Sequence, residues 1–302
     1  MWFWLSLIAL LCWSGSDLFS KLGCQDADDK LSHLKMVMAV GLVMGLHAAY
    51  EIFLGGVDIS WSVIITYLPV SLLYISSMTV GYLGLRYIEL SILSPICNSS
   101  GALVAILALA TGGLRDLAPM QLFATALVCI GVIGLGFVEA HEDDELRQAR
   151  QDQSNHHYAK SALALALPVL YCLLDALGTF ADSQILERLN EDSANVAYEL
   201  TFLLVGLACF VYVVLVKKSP LVFKREAPKY VGAFFETAGQ FAYVYALADS
   251  RHVALTVPII SAYCVMSMVW GRVFLKEKLS LKHYAMVVLV VIGIVILGVF
   301  DA

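Results

Sequence analysis

Three carboxylic acids stand inside stretches that otherwise look built for lipid. Asp17 follows an oily run in "CWSGSD", Asp175 ends "LYCLLD", and Glu236 lies within "GAFFETAGQFAYVY". A charge at bilayer depth costs at least about 2.5 kcal/mol on insertion scales, so an acid kept there is expected to hold a cationic solute group or a coupling proton. Aromatic neighbours favour a cation. Trp13 stands one turn before Asp17, Tyr171 stands in the same relation to Asp175, and Glu236, Gln240 and Tyr243 form one polar stripe at i, i+4 and i+7. Rings attract ammonium groups by up to about 2 kcal/mol or more when water is excluded. A phosphate would need several basic residues. Lys21 is the candidate cation here, expected to pair with Asp17 at i,i+4 or to snorkel to the headgroups. A softer set follows two prolines: Asn98 and Ser99 after Pro95, Ser261 and Tyr263 after Pro258. Proline frees a backbone carbonyl one turn earlier, and these side chains offer hydrogen bonds beside it. We read Asp175 as the substrate acid and Glu236 as the proton carrier, an assignment that can be exchanged.

Holding such residues at depth requires spanning helices. The 302 residues are 60% hydrophobic and 15% charged, with a mean hydropathy of +0.80, against about 25% charged in soluble domains. The composition predicts an all-α, multi-pass integral protein of the cell membrane. A span needs about 20 apolar residues. Ten are predicted, near residues 2–19, 34–54, 63–85, 90–110, 120–138, 162–181, 196–216, 230–248, 253–273 and 284–300. The opening "MWFWLSLIALL" lacks the basic start and cleavage site of a signal peptide, so the first segment is expected to be retained. Cys12, Cys97, Cys129, Cys172, Cys209 and Cys264 lie in apolar runs without metal-site spacing and read as small core residues. No basic patch suggests nucleic acid, and no G-x-x-x-x-G-K-[ST] loop would couple ATP, so no cofactor or metal is expected. His156 and His157 fall in a solvated linker, His47 at an interhelical contact, and Trp2, Trp4, Trp61 and Trp270 at interfacial positions.

The chain repeats itself about that linker. "CIGVIGLGFVEA" aligns with "VIGIVILGVFDA", matching Gly131 with Gly293 and Gly136 with Gly298. Laying Pro95 on Pro258 puts Ser77 on Gln240 and Leu73 on Glu236, leaving Tyr74 and Ser77 as the polar contribution of the third segment. Trp13 falls on Tyr171, and Asp17 on Asp175. These matches give a first repeat over 1–138, a charged linker over 139–160 and a second repeat over 161–302. Five spans is an odd number, so the second repeat must enter from the opposite side, an inverted arrangement that places a substrate site near the midplane. The chain resembles the drug/metabolite transporter superfamily, in particular its ten-helix EamA-like family. The glycine-bearing fifth and tenth segments and the passage "WGRVFLKEKLSLKHY" carry the resemblance, while "LATGGLRDLAP" lacks the corresponding Glu. The resemblance implies a central cavity lined by the first, third, fourth, sixth, eighth and ninth helices.

The expected function is secondary transport of a small organic, amine-bearing or cationic solute by alternating access, possible in import or in export of amino acids or hydrophobic compounds. A membrane-embedded lipid-modifying enzyme is the reading from another class, but no metal cluster or nucleophile–base pair is evident near an interface. Expected partners are the solute and the bilayer, with the chain a monomer or a dimer. Arg115, Arg188 and Arg251 lie in the even-numbered connections, and the other 16 of the 19 lysines and arginines lie in the odd-numbered ones. The positive-inside rule then puts the odd connections in the cytoplasm and both termini outside; the resemblance implies the reverse, and the charge count is followed here. A cysteine placed in "KKSPLVFKREAPK", in a background without accessible thiols, should therefore resist an impermeant maleimide added to intact cells. Ready labelling would overturn the orientation.

Overall fold

The computed structural model describes residues 1–26, 28–87, 90–108, 110, 118–140, 162–276 and 280–300. Among them the secondary structure is helical, without strands. An apolar chain in lipid must pair its backbone groups within each segment, and the helix does this. In order the helices are α1 (Trp2–Cys24), α2 (Ser32–Tyr50, extended by a π-type turn Glu51–Gly55), α3 (Trp61–Tyr87), α4 (Leu90–Asn98), α5 (Ser100–Ala108) and α6 (Pro119–Ala140). The second half adds α7 (Ala162–Ile185), α8 (Glu191–Phe210, extended by Val211–Val216), α9 (Phe223–Leu247), α10 (Val253–Ser261), α11 (Tyr263–Phe274) and α12 (Leu281–Phe300). Seven described stretches are long and apolar enough to cross a membrane, α10 and α11 counting together as one. α9 carries a more polar sequence, and α4–α5 and α12 form shorter apolar stretches. The charged linker with His156 and His157, Arg115 of the fourth connection and Glu277 of the second-half junction lie outside the described residues.

Helix starts and breaks follow local chemistry. Asn190 caps α8, its side-chain oxygen accepting the backbone N–H groups of Asp192 and Ser193 at 3.0 and 3.2 Å. Glu191 and Asp192 then sit at the positive end of the helix dipole. The predicted fourth and ninth segments are each two helices, broken at Ser99 and Ala262. Each break lies four residues past a proline. There the N–H of Ser99 is shared between the carbonyls of Pro95 and Ile96, and that of Ala262 between Pro258 and Ile259, a local tightening to 3₁₀ geometry.

Helices of the first half find their main partners in the second. α1 packs along α9, α3 along α7, α2 along α8, α5 against α10 and α6 along α12. Small residues permit these approaches. At Gly41 of α2 a Cβ would lie 2.7 Å from the carbonyl oxygen of Phe202 on α8, and at Gly293 of α12 one would lie 2.7 Å from that of Ala124 on α6. Gly131 and Gly134 also face α12, whereas Gly136 faces Ile96 of α4. Outer faces remain apolar and exposed, as at Leu46, Ile130, Leu204 and Val295.

Contacts between connections divide the bundle into two ends. Lys35 donates to the carbonyl of Pro220, and Arg225 pairs with Asp26 at 3.3 Å, joining the first and seventh connections at what we term the odd end. Ser193 donates to the carbonyl of Asp58, and Tyr245 bonds Asp192, at the even end. Trp2 is buried there, stacked on His252 at 5.0 Å, instead of anchoring at an interface. Trp270 is likewise drawn inward, its indole N–H donating to Ser14 Oγ at 3.2 Å. Trp4 and Trp61 are exposed as expected.

The broken helices cross where Gly101 of α5 meets Ser261 of α10. A Cβ at residue 101 would lie 2.6 Å from Ser261 Cβ and 3.1 Å from the Val257 carbonyl oxygen, so the backbones would have to part. Gly101→Ala should lower stability by about 1–3 kcal/mol, the usual cost of overpacking. Thermal unfolding of the detergent-purified protein checks this, and adding Ser261→Gly should restore part of the loss.

Candidate functional site

The three acids meet inside the bundle, each held by serine hydroxyls from a neighbouring helix. Asp17 Oδ2 on α1 accepts Ser94 of α4 at 2.6 Å and Ser267 of α11 at 2.7 Å. Glu236 Oε2 on α9 accepts Ser16 of α1 at 2.7 Å. Asp175 Oδ2 on α7 accepts Ser100 at 2.7 Å. Ser100 is the first residue of α5, so the break after α4 is what turns it toward α7. Hydroxyl donors favour the charged form of a carboxylate, while burial disfavours it. Lys21, one turn beyond Asp17, is 1% exposed rather than extended to the headgroups, and its ammonium donates to the Leu85 carbonyl at 2.8 Å.

These acids border one cavity lined by side chains from both halves of the chain. Trp13 lines it, with its ring centroid 5.1 Å from that of Tyr243 and 5.9 Å from that of Tyr263. Tyr74 meets Tyr243 edge to face at 6.2 Å, and Tyr171 adds a further ring to the wall. Among the described lining residues none is lysine, arginine or histidine. Toward the odd end the hydroxyls of Ser20 and Tyr82 face the cavity, buried and without a hydrogen-bond partner among the described residues. They offer donors to a bound molecule.

Of the predicted binding residues, Trp13, Asp17, Tyr74, Asn98, Tyr171, Asp175, Glu236, Tyr243, Ser261 and Tyr263 line this one cavity. Ser77 does not; it donates back to the Tyr74 carbonyl at 2.8 Å. Gln240 is buried off the wall, although it shares the stripe of Glu236. Asn98 reaches the wall but spends its amide on the Ser94 carbonyl at 2.8 Å. Sequence reading passed over the serines that hold the acids, since a serine in an apolar helix carries little signal alone. It also passed over Asp182, two turns after Asp175 on the same face, and Glu199, fully buried and 2.9 Å from His47 Nδ1. The i, i+7 relation to Asp175 was the available signal for the first. The expected contact of His47 between helices is this bond to α8.

The chain has the fold of a solved crystal structure with a TM-score of 0.64, over 98% of this chain and 96% of that one, at 14% identity. No curated protein matches it. Residues 162–299, the stretch that supplies Asp175, Glu236, Tyr243 and Tyr263 to the cavity, match the model of the EamA-like transporter family.

Proposed function

We infer that the chain is a secondary transporter that carries an amine-bearing or cationic organic solute by alternating access between two inverted five-span repeats. The observation that carries this reading is the cavity itself: three carboxylates and a set of aromatic rings, with no basic side chain among its described lining residues. The helix pairing supports the repeat, because first pairs with third, second with second, fourth with fourth and fifth with fifth when α4–α5 and α10–α11 each count as one span. Opposed running directions support the inversion: α1 begins at the even end, where Trp2 meets His252, while α7 ends there, where Asp182 meets Tyr67. In this reading the odd end faces the cytoplasm of a cell-membrane carrier.

The acids take different roles. Asp17 already binds one hydroxyl from each broken span, which suits it to bracing them. Asp175 and Glu236 each accept one serine hydroxyl and line the cavity. Asp175, bordered by Tyr171 and Tyr74, receives the ammonium group. Glu236 carries the coupling proton, and its release is linked to the arrival of the cation at the neighbouring acids by like-charge repulsion. An ammonium can displace a serine from a carboxylate because the new bond is charge-assisted at both partners.

Vesicles loaded with candidate amines provide the test. Asp175→Asn should weaken amine binding about 10- to 100-fold, the range for one hydrogen bond between charged groups, read by thermal shift or calorimetry on purified protein. Glu236→Gln should abolish the dependence of transport on a proton gradient while leaving solute exchange measurable. Unchanged affinity in the first and unchanged gradient dependence in the second would reduce both acids to helix-packing groups.

A further inference from the structure

One buried acid belongs to none of these roles. Asp182 on α7 is fully buried, and its carboxylate accepts the hydroxyl of Tyr67 at 2.6 Å and that of Tyr74 at 3.2 Å. The Tyr74 hydroxyl lies 2.5 Å from that of Tyr243 and 3.1 Å from Thr179 Oγ1. The cluster therefore joins α3 of the first half to α7 and α9 of the second. Tyr74, Thr179 and Tyr243 line the cavity, whereas Tyr67 and Asp182 lie behind them toward the even end. Tyr67 is only roughly 9 Å along α3 from its start, at 1.5 Å per residue, and Asp182 is in the last turn of α7. The hydroxyl layer thus lies between the cavity-lining residues and that end of the bundle.

Asp182 also meets a strict condition. Its described partners are neutral hydroxyls, and a buried carboxylate stripped of its donors bears the whole desolvation cost unless water replaces them. Closed, the tyrosines supply the donors; open to the even end, water would. Halfway states satisfy neither. Phe180, Ser183 and Gln184 of α7 and Glu187 just beyond it line a separate recess at the even end with Ser250 and Arg251.

We propose that Asp182 is a positioning residue of the transport cycle, pinning α7 to Tyr67 and Tyr74 so that the cavity stays shut toward the even end. It touches no solute and acts through the tyrosines. The proposal rests on the alternating-access reading, but its test does not depend on the solute being an amine. Cys97 lines the cavity and reports its accessibility. In proteoliposomes with the protein in one orientation, an impermeant thiol reagent is added to one face, and modification of Cys97 is followed by mass spectrometry, with all native cysteines in place. In Tyr67→Phe and Asp182→Asn, labelling from the even face should rise about tenfold, the population change expected when one hydrogen bond to a charged group is lost. Labelling from the odd face should not rise. Tyr67→Phe removes a single oxygen and keeps the test usable if Asp182→Asn does not fold. Unchanged even-face labelling in a variant with native thermal unfolding, or equal gains from both faces, would overturn the proposal. Failure of amine binding with the labelling shift intact would instead count against the solute assignment alone.

Discussion

Water does not enter the hydrocarbon of a bilayer, and a carboxylic acid placed at that depth is costly unless it finds partners within the bundle. The acids of this chain find theirs on other helices. Asp17 ties α1 to α4 and α11, Glu236 ties α9 to α1, Asp175 ties α7 to α5, and Asp182 ties α7 to α3. Lipid gives helices little hydrophobic reason to associate, so such bonds and close backbone packing carry much of the specificity of assembly. The same geometry prepares the cavity: carboxylates already fixed by serines need little reorganisation when a stronger donor arrives.

The two ends are held together by different chemistry. At the odd end Lys35 lies 2.9 Å from Asp29 and 3.5 Å from Glu226, while Lys229 meets Glu226 at 2.9 Å and Arg86 donates to the Asp29 carbonyl. These groups are largely buried, and buried ion pairs offset their desolvation only when well bonded. At the even end the corresponding layer is made of tyrosine hydroxyls around one acid.

How much of this was legible in the sequence follows from what each signal measures. Apolar length located the helices but could not locate the breaks at Ser99 and Ala262, because Pro95 and Pro258 act on hydrogen bonds rather than on hydropathy. Acids preceded by an aromatic residue one turn away stood out, and Asp17 and Asp175 do line the cavity. Asp182 lay just beyond the expected end of its segment and so read as a boundary residue. Ser77 and Gln240 share helices with wall residues yet turn elsewhere, since a helical stripe is wider than the strip of it that a cavity uses. The serines gain meaning only from the acid opposite, which is tertiary information.

The crossing of α5 and α10 has a mechanical consequence. Gly101 leaves no room for Ser261 to approach further, and the Val257 carbonyl oxygen closes the same space from the side. A contact this tight fixes how closely the two broken spans pass where they cross. In the proposed transport cycle that crossing would serve as a fulcrum, about which the spans part toward one end as they converge toward the other.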